Sequence, residues 1–347
     1  PRLRGRLSPA AEVMRDTSVI DHYLAPLRPF LAPQSVTEVV VNRPGEVGVE
    51  HPDGWRWHEV PELTETWLRT LAVAAAAYTG QDVDAERPIC STVLPGDARC
   101  QIVLPPVVPA GAVSLTIRKP SGARMGLEDF HAAGLFAAAR TVHGGLDETD
   151  TELVGLREAG DWVGFFRLAV ERRRNILISG ATGSGKTTFA KGLVELIPEH
   201  ERLLTIEDTR ELVLPQRNVV HLLYSKDGQG LAKVGPKALL ESALRMRPDR
   251  ILLQELRDGT AFFFLRNVNS GHPGSITTVH ADSATLAFEQ LTLLVRESEG
   301  GRDLPRDDIR TMLHLMVDVV VQMKKIDGRF LMTEVWHEPL RKRRAGD

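Results

Sequence analysis

A chain of 347 residues is long enough for about two domains of roughly 150 residues each. Hydrophobic residues make up 42% and charged residues 26%, and the net charge is −3, so charge imposes neither disorder nor nucleic-acid binding, and direct nucleic-acid contact stays open. The only cysteines, Cys90 and Cys100, cannot build a four-ligand zinc site and read as small core residues, and no apolar run approaches the ~20 residues of a membrane span.

The first segment, residues 1–30, carries Arg2, Arg4, Arg6 and Arg15 with no apolar core behind them. That argues against a secretion signal and predicts an arm with one short helix near residues 10–24. Residues 36–41 are β-rich, Arg43-Pro44-Gly45-Glu46 turns, and residues 47–50 return. Pro52-Asp53-Gly54 turns again before Trp55 and Trp57, so alternation and turn chemistry predict an antiparallel meander. Residues 63–78 have apolar side chains at helical spacing and stop at Gly80. Strands are predicted again over 89–94, 99–104 and 114–117. Residues 31–119 therefore predict an α+β domain, a helix packed on an antiparallel sheet.

Residues 120–158 predict a linker, with a short helix near 127–140 and an acidic patch at Asp147, Glu148 and Asp150. From 159 to 347 the pattern changes. A helix over 160–171 and a strand over 175–179 begin an alternation typical of a sheet with crossover helices, so the fold class is α/β in two domains. The closing run Arg341, Lys342, Arg343 and Arg344 reads as a solvated tail, with contact to anionic lipid as the lesser alternative.

The chemistry begins at Gly180-Ala181-Thr182-Gly183-Ser184-Gly185-Lys186-Thr187, which fits G-x-x-x-x-G-K-[ST] at every position. The glycines let successive backbone N–H groups converge on phosphate oxygens. Lys186 supplies a point charge to the β and γ phosphates, and Thr187 places a hydroxyl on Mg2+. Thr188 follows in the first turn of a predicted helix, 188–196, whose positive end faces the same oxygens. The apolar strand ahead of the loop and the helix behind it are the setting this motif requires. ATP and Mg2+ are thus the expected ligands.

Such a loop needs carboxylates for the metal and for the attacking water. Leu203-Leu204-Thr205-Ile206 is an apolar run ending in Glu207-Asp208, and Arg250-Ile251-Leu252-Leu253-Gln254 is another, ending in Glu255. In parallel sheets ligands gather beyond the carboxyl ends of the strands, which makes Glu207, Asp208 and Glu255 candidates for water activation or for holding Mg2+ through water. The bland alternative is that they cap the next helix. Residues 270–280 add a polar turn and a strand bracketed by His272 and His280, candidate sensors of the γ-phosphate.

These blocks, taken in order, resemble the Walker A, Asp box, Walker B and His box of the secretion ATPases. Residues 37–46, 99–105 and 117–121 further resemble the N-terminal domain of the type IV secretion traffic ATPases. The resemblance spans roughly residues 30–335. It implies a RecA-like P-loop domain, a homohexameric ring, and nucleotide held between two domains. It also implies that Arg99 and Arg118 reach phosphates from the N-terminal side, with Arg247 as a further phosphate-reading arginine. Expected partners are the other ATPases and inner-membrane components of a secretion machine, at a cytoplasmic location peripheral to the inner membrane. Gln254 departs from the family, where many members have a small residue before the Walker B glutamate. No cysteine lies beyond Cys100, which points away from the zinc-bearing pilus and type II branch. Pilus assembly or retraction is the alternative within the same chemistry, and protein or conjugated DNA are both open as cargo. A non-hydrolysing, nucleotide-gated scaffold is the alternative of another class; an intact Lys186, Glu207 and Glu255 argue against it.

Overall fold

The structure is a computed structural model, described for residues 17–120, 125–139, 145–225, 230–258, 261–263, 265, 271–298 and 300–340. The basic residues expected to shape the two ends, 2–15 and 341–344, lie outside the described residues.

The N-terminal half is built on a six-stranded antiparallel sheet. In chain order its strands are β1 (Glu38–Val41), β2 (Glu46–His51), β3 (Gly54–Glu59), β4 (Ile89–Val93), β5 (Arg99–Val103) and β6 (Ser114–Arg118). Across the sheet they run β3-β2-β1-β6-β5-β4. Helices α1 (Ser18–Leu24), α2 (Arg28–Leu31) and α3 (Glu65–Tyr78) belong to the same half. In α3 the buried residues Leu68, Leu71, Ala72, Ala75 and Ala76 recur at the three- and four-residue spacing that puts them on one face. Thr64 caps its start, its hydroxyl accepting from the Trp67 N–H at 3.2 Å. Gly48 is required in β2, since a Cβ there would stand 2.9 Å from both the Trp57 ring and Val40.

The expected linker is more structured than its composition suggests. Its first helix, α4, covers only Leu127–Ala132. The acidic patch opens a further helix, α5 (Glu148–Glu158), because the Asp147 carboxylate accepts from the Asp150 N–H at 2.7 Å. Asp150 then pairs with Arg174 at 2.6 Å, which ties α5 to the C-terminal half.

That half contains α6 (Trp162–Glu171), β7 (Ile176–Gly180), α7 (Lys186–Val194), β8 (Leu203–Glu207), β9 (Val219–Leu223), α8 (Pro236–Ala243), β10 (Arg250–Leu253), β11 (Ile276–Val279), α9 (Ala284–Glu297), α10 (Arg306–Met316), β12 (Val319–Ile326) and β13 (Arg329–Trp336). The parallel groups β10-β8-β9 and β11-β7-β12 meet through a bridge between Glu255 and Thr278, and β13 adds antiparallel to β12. Every residue of β7, β8, β10 and β11 is buried, as expected for parallel strands covered on both faces. The consequence for function is polarity: Gly180, Glu207, Glu255 and His280 all leave the sheet at its carboxyl edge.

The two halves lock together from the opposite, amino edge, where Arg202 sits, to the carboxyl end of β9, where the Leu223 N–H donates to the Val107 carbonyl at 2.6 Å. Arg202, fully buried, donates to Asn42 Oδ1 at 2.8 Å, to Thr116 Oγ1 at 3.2 Å and to the Met246 carbonyl at 2.8 Å. Gln101 donates to Ser242 Oγ at 2.9 Å, and Val103, Val107 and Val108 enter the core of the C-terminal half. A buried guanidinium costs several kcal/mol, roughly, unless its donors are met, and here burial pushes the Arg202 pKa down to about 9.

Candidate active site

The loop 180–187 joins β7 to α7. Gly183 and Gly185 have φ of 73° and 89°, left-handed values that a side chain would resist. At Gly180 an added Cβ would meet the Met323 carbonyl and Ser184 Oγ at 2.5 Å, so the turn closes against its neighbours only with glycine. Gly185 stands immediately before α7, so the helix begins with Lys186 and Thr187 rather than at 188. Ala181, Thr182 and Gly183 are exposed, Thr187 is half-buried and Thr188 exposed, so the loop faces solvent.

Lys186 is folded back. Its ammonium donates to the Gly180 carbonyl at 2.6 Å and the Ala181 carbonyl at 2.8 Å. Burial lowers its pKa, and the charge of Glu255 opposes that. Glu255 is thus the carboxylate that Lys186 senses. Glu255 in turn meets His280 Nε2 at 2.7 Å through Oε1. Lysine, carboxylate and histidine are gathered at the ends of α7, β10 and β11, next to the loop.

Glu207 and Asp208 are differently placed. Glu207 is fully buried, and its carboxylate accepts from the Glu211 and Leu212 N–H groups at 2.9 Å and from Thr205 Oγ1 at 2.8 Å, with His221 Nδ1 at 3.3 Å. Its pKa is lowered: burial raises it, but the His221, Leu212, Thr205 and Glu211 hydrogen bonds more than offset that. This carboxylate organises its own loop. Asp208 accepts from Arg257 at 2.9 Å, and the same guanidinium reaches Tyr224 Oη at 2.7 Å. His221, Arg257 and Tyr224 were not singled out by sequence reasoning; none of them belongs to a motif, and only the pairing of β8 with β9 brings His221 beside Glu207.

Arg99, Arg118, Arg247 and His272 gather elsewhere. They line a cavity of about 820 Å³ together with Glu38 and Arg173. Arg247 precedes β10 and His272 precedes β11, so this cavity lies at the amino edge, a strand's length of roughly 15 Å from the loop. Arg247 is held by Glu50 and by Asp249 at 2.9 Å. Burial lowers the pKa of His272. Arg99 and Arg118 are directly opposed across β5 and β6, and both are exposed. Like charges placed this way repel. Glu38 offsets one of them, with Oε1 3.5 Å from Arg118, although burial pushes its own pKa up to about 7. Within one chain these arginines do not meet the phosphate loop.

The profile of the family described as "Type II/IV secretion system protein" matches residues 22–327. The "Type IV secretion system protein VirB11" of Bartonella henselae is 52% identical over 331 residues, which is 92% of this chain and 93% of that one. The chain belongs to the VirB11 family of secretion ATPases. The VirB11 of Brucella suis biovar 1 is 46% identical over 340 residues, 96% of this chain and 94% of its own. The crystal structure of the VirB11 ATPase from the Brucella suis type IV secretion system, in complex with sulphate, superposes with a TM-score of 0.90 at 44% identity, covering 95% of this chain and 97% of that one. The two-domain α/β architecture is that of VirB11, and the resemblance found in the motifs holds across nearly the whole chain.

Proposed function

We propose that this VirB11-family chain hydrolyses ATP at residues 180–187 and uses the energy to drive a type IV secretion machine. The observation that carries the reading is the convergence of Lys186, Glu255 and His280 at the carboxyl edge of the sheet. Phosphate oxygens replace the Gly180 and Ala181 carbonyls as acceptors for Lys186. The backbone N–H groups of 182–188 and the start of α7 take the rest of the phosphate charge. Glu255 aligns the attacking water, and His280 fixes the carboxylate that does so. The oxygen donors fit Mg2+: Thr187 Oγ1 would hold it and Glu255 would reach it through water, whereas the Glu207 and Asp208 carboxylates are already engaged by their own neighbours. Bound there, Mg2+ would supply charge neutralisation to the β and γ phosphates.

The separation of Arg99 and Arg118 from the loop supports assembly. A second copy, packed head-to-tail, can present its arginine pair to the first copy's loop, and repetition of that contact closes a ring. We take the ring to be a homohexamer at the cytoplasmic face of the inner membrane, docked on the membrane components and other ATPases of the machine. Among the described residues no helix is long and apolar enough to cross a membrane.

Steady-state phosphate release tests the assignment. Lys186→Ala is expected to lower turnover by more than about tenfold, the equivalent of ~1.4 kcal/mol of transition-state stabilisation. Turnover near that of the unaltered protein would remove Lys186 from the chemistry. Absence of turnover in the unaltered protein, with ATP still bound, would favour the scaffold.

A further inference from the structure

The hairpin formed by β12 and β13 turns through Asp327 and Gly328, at φ of 49° and 78°, and carries Phe330 one residue into its second strand. Phe330 reaches the phosphate loop. A Cβ built on Gly185 would stand 3.1 Å from Phe330 Cδ1 and 3.3 Å from Cγ, so the edge of the ring lies against the loop backbone. Yet the residue is 58% exposed. Lys325 Nζ lies 5.4 Å from the ring centroid. An aromatic side chain beside a phosphate loop, left open to solvent, is poorly explained as core.

The direction in which a nucleotide must lie explains it. β7 has β11 on one side and β12 on the other. Glu255 and His280 stand on the β11 side, bridged to it through Thr278. The reacting γ-phosphate therefore points toward β11, and the other end of the nucleotide leaves the loop toward β12 and β13, where Phe330 waits. We infer that the ring of Phe330 is the platform on which the base of the bound nucleotide stacks. The inference rests on residues 180–187 being the phosphate site. A phenyl face has no hydrogen bonds with which to read a base, so the platform serves adenine and guanine alike; stacking of this kind tolerates any base because every base has a π-face.

The test separates base from phosphates in the purified full-length chain. Affinities for Mg–ATP and for Mg–tripolyphosphate, which has no base, are measured for the unaltered protein, F330A, F330W and K186A. F330A is expected to weaken ATP about tenfold, since removing one aromatic platform typically has an effect of that order, and to leave tripolyphosphate unchanged. F330W is expected to keep ATP affinity, with a fluorescence change on ATP that tripolyphosphate does not elicit. Equal affinity of F330A and the unaltered protein for ATP would overturn the platform, as would an equal loss for both ligands, which would make Phe330 a structural prop for the loop. K186A is expected to weaken both ligands. If it weakens neither, the phosphate site itself is misassigned and the platform falls with it.

Discussion

At the scale of single residues, the proposed site divides between groups that face the phosphate loop and groups that organise the neighbouring loop after β8. Lys186, Thr187 and Glu255 are of the first kind. Glu207, whose carboxylate is taken up by the Glu211 and Leu212 N–H groups, Thr205 and His221, is of the second. This predicts different outcomes for the acids. Glu255→Gln keeps the loop and its N–H groups, so it should retain labelled ATP on a filter while phosphate release drops more than about tenfold. Failure to retain ATP would give Glu255 a binding role. The loop was legible in the sequence because its backbone dictates residue type at its fixed positions: a Cβ at Gly180 would strike the Met323 carbonyl, and Gly185 takes a left-handed φ that a side chain would resist. The roles of Glu207 and Asp208 were not legible. Their partners come from residues 205–257, with no spacing rule connecting them.

At the scale of elements, the meander, the long N-terminal helix and the crossover strands all appear close to where periodicity placed them. What periodicity missed was set by caps and long-range pairing. The acidic patch at 147–150 looks like solvated linker, but Asp147 caps α5 and Asp150 finds Arg174. The β12–β13 hairpin turns at Asp327-Gly328 and was not anticipated; it matters because it reaches the loop, which no local pattern reveals. The end of β13 also clamps the helices. His337 is buried edge-on against Phe165 of α6 at 5.3 Å, and its carbonyl accepts from Arg157 of α5. Burial, reinforced by Arg157, pushes the His337 pKa down to about 4. An unfolded histidine titrates near 6.5, so between these values the unfolded chain binds more protons than the folded one. The contribution of this clamp is therefore whole above about pH 6.5 and is lost as pH falls toward about 4, a change of at most about 3 kcal/mol. Thermal melts across that window should show the loss, and His337→Leu should flatten it. An unchanged slope would mean that His337 is not the group that titrates.

For the whole molecule, the decisive feature is that the candidate groups lie at both edges of the parallel strands, with Arg99 and Arg118 contributed by the N-terminal sheet. The carboxyl edge holds Lys186, Glu255 and His280. The amino edge, packed against the N-terminal half through Arg202, holds Arg99, Arg118, Arg247 and His272 around their own cavity. The sequence announces both sets but gives no indication that they lie apart, because motif order records position along the chain and not position across a sheet. If a loop is completed by the arginines of a neighbouring copy, two different defects should complement each other. One variant, Lys186→Ala, lacks the loop lysine and keeps the arginines. The other, Arg99→Ala with Arg118→Ala, keeps the loop. Each alone should be nearly silent. After the two are mixed in equal amounts and allowed to exchange subunits, half the loops are intact and half of those face an intact pair, so phosphate release should recover to about a quarter of that of the unaltered protein. A mixture as silent as its components would show that each loop depends on the arginines of its own chain, and would contradict the account.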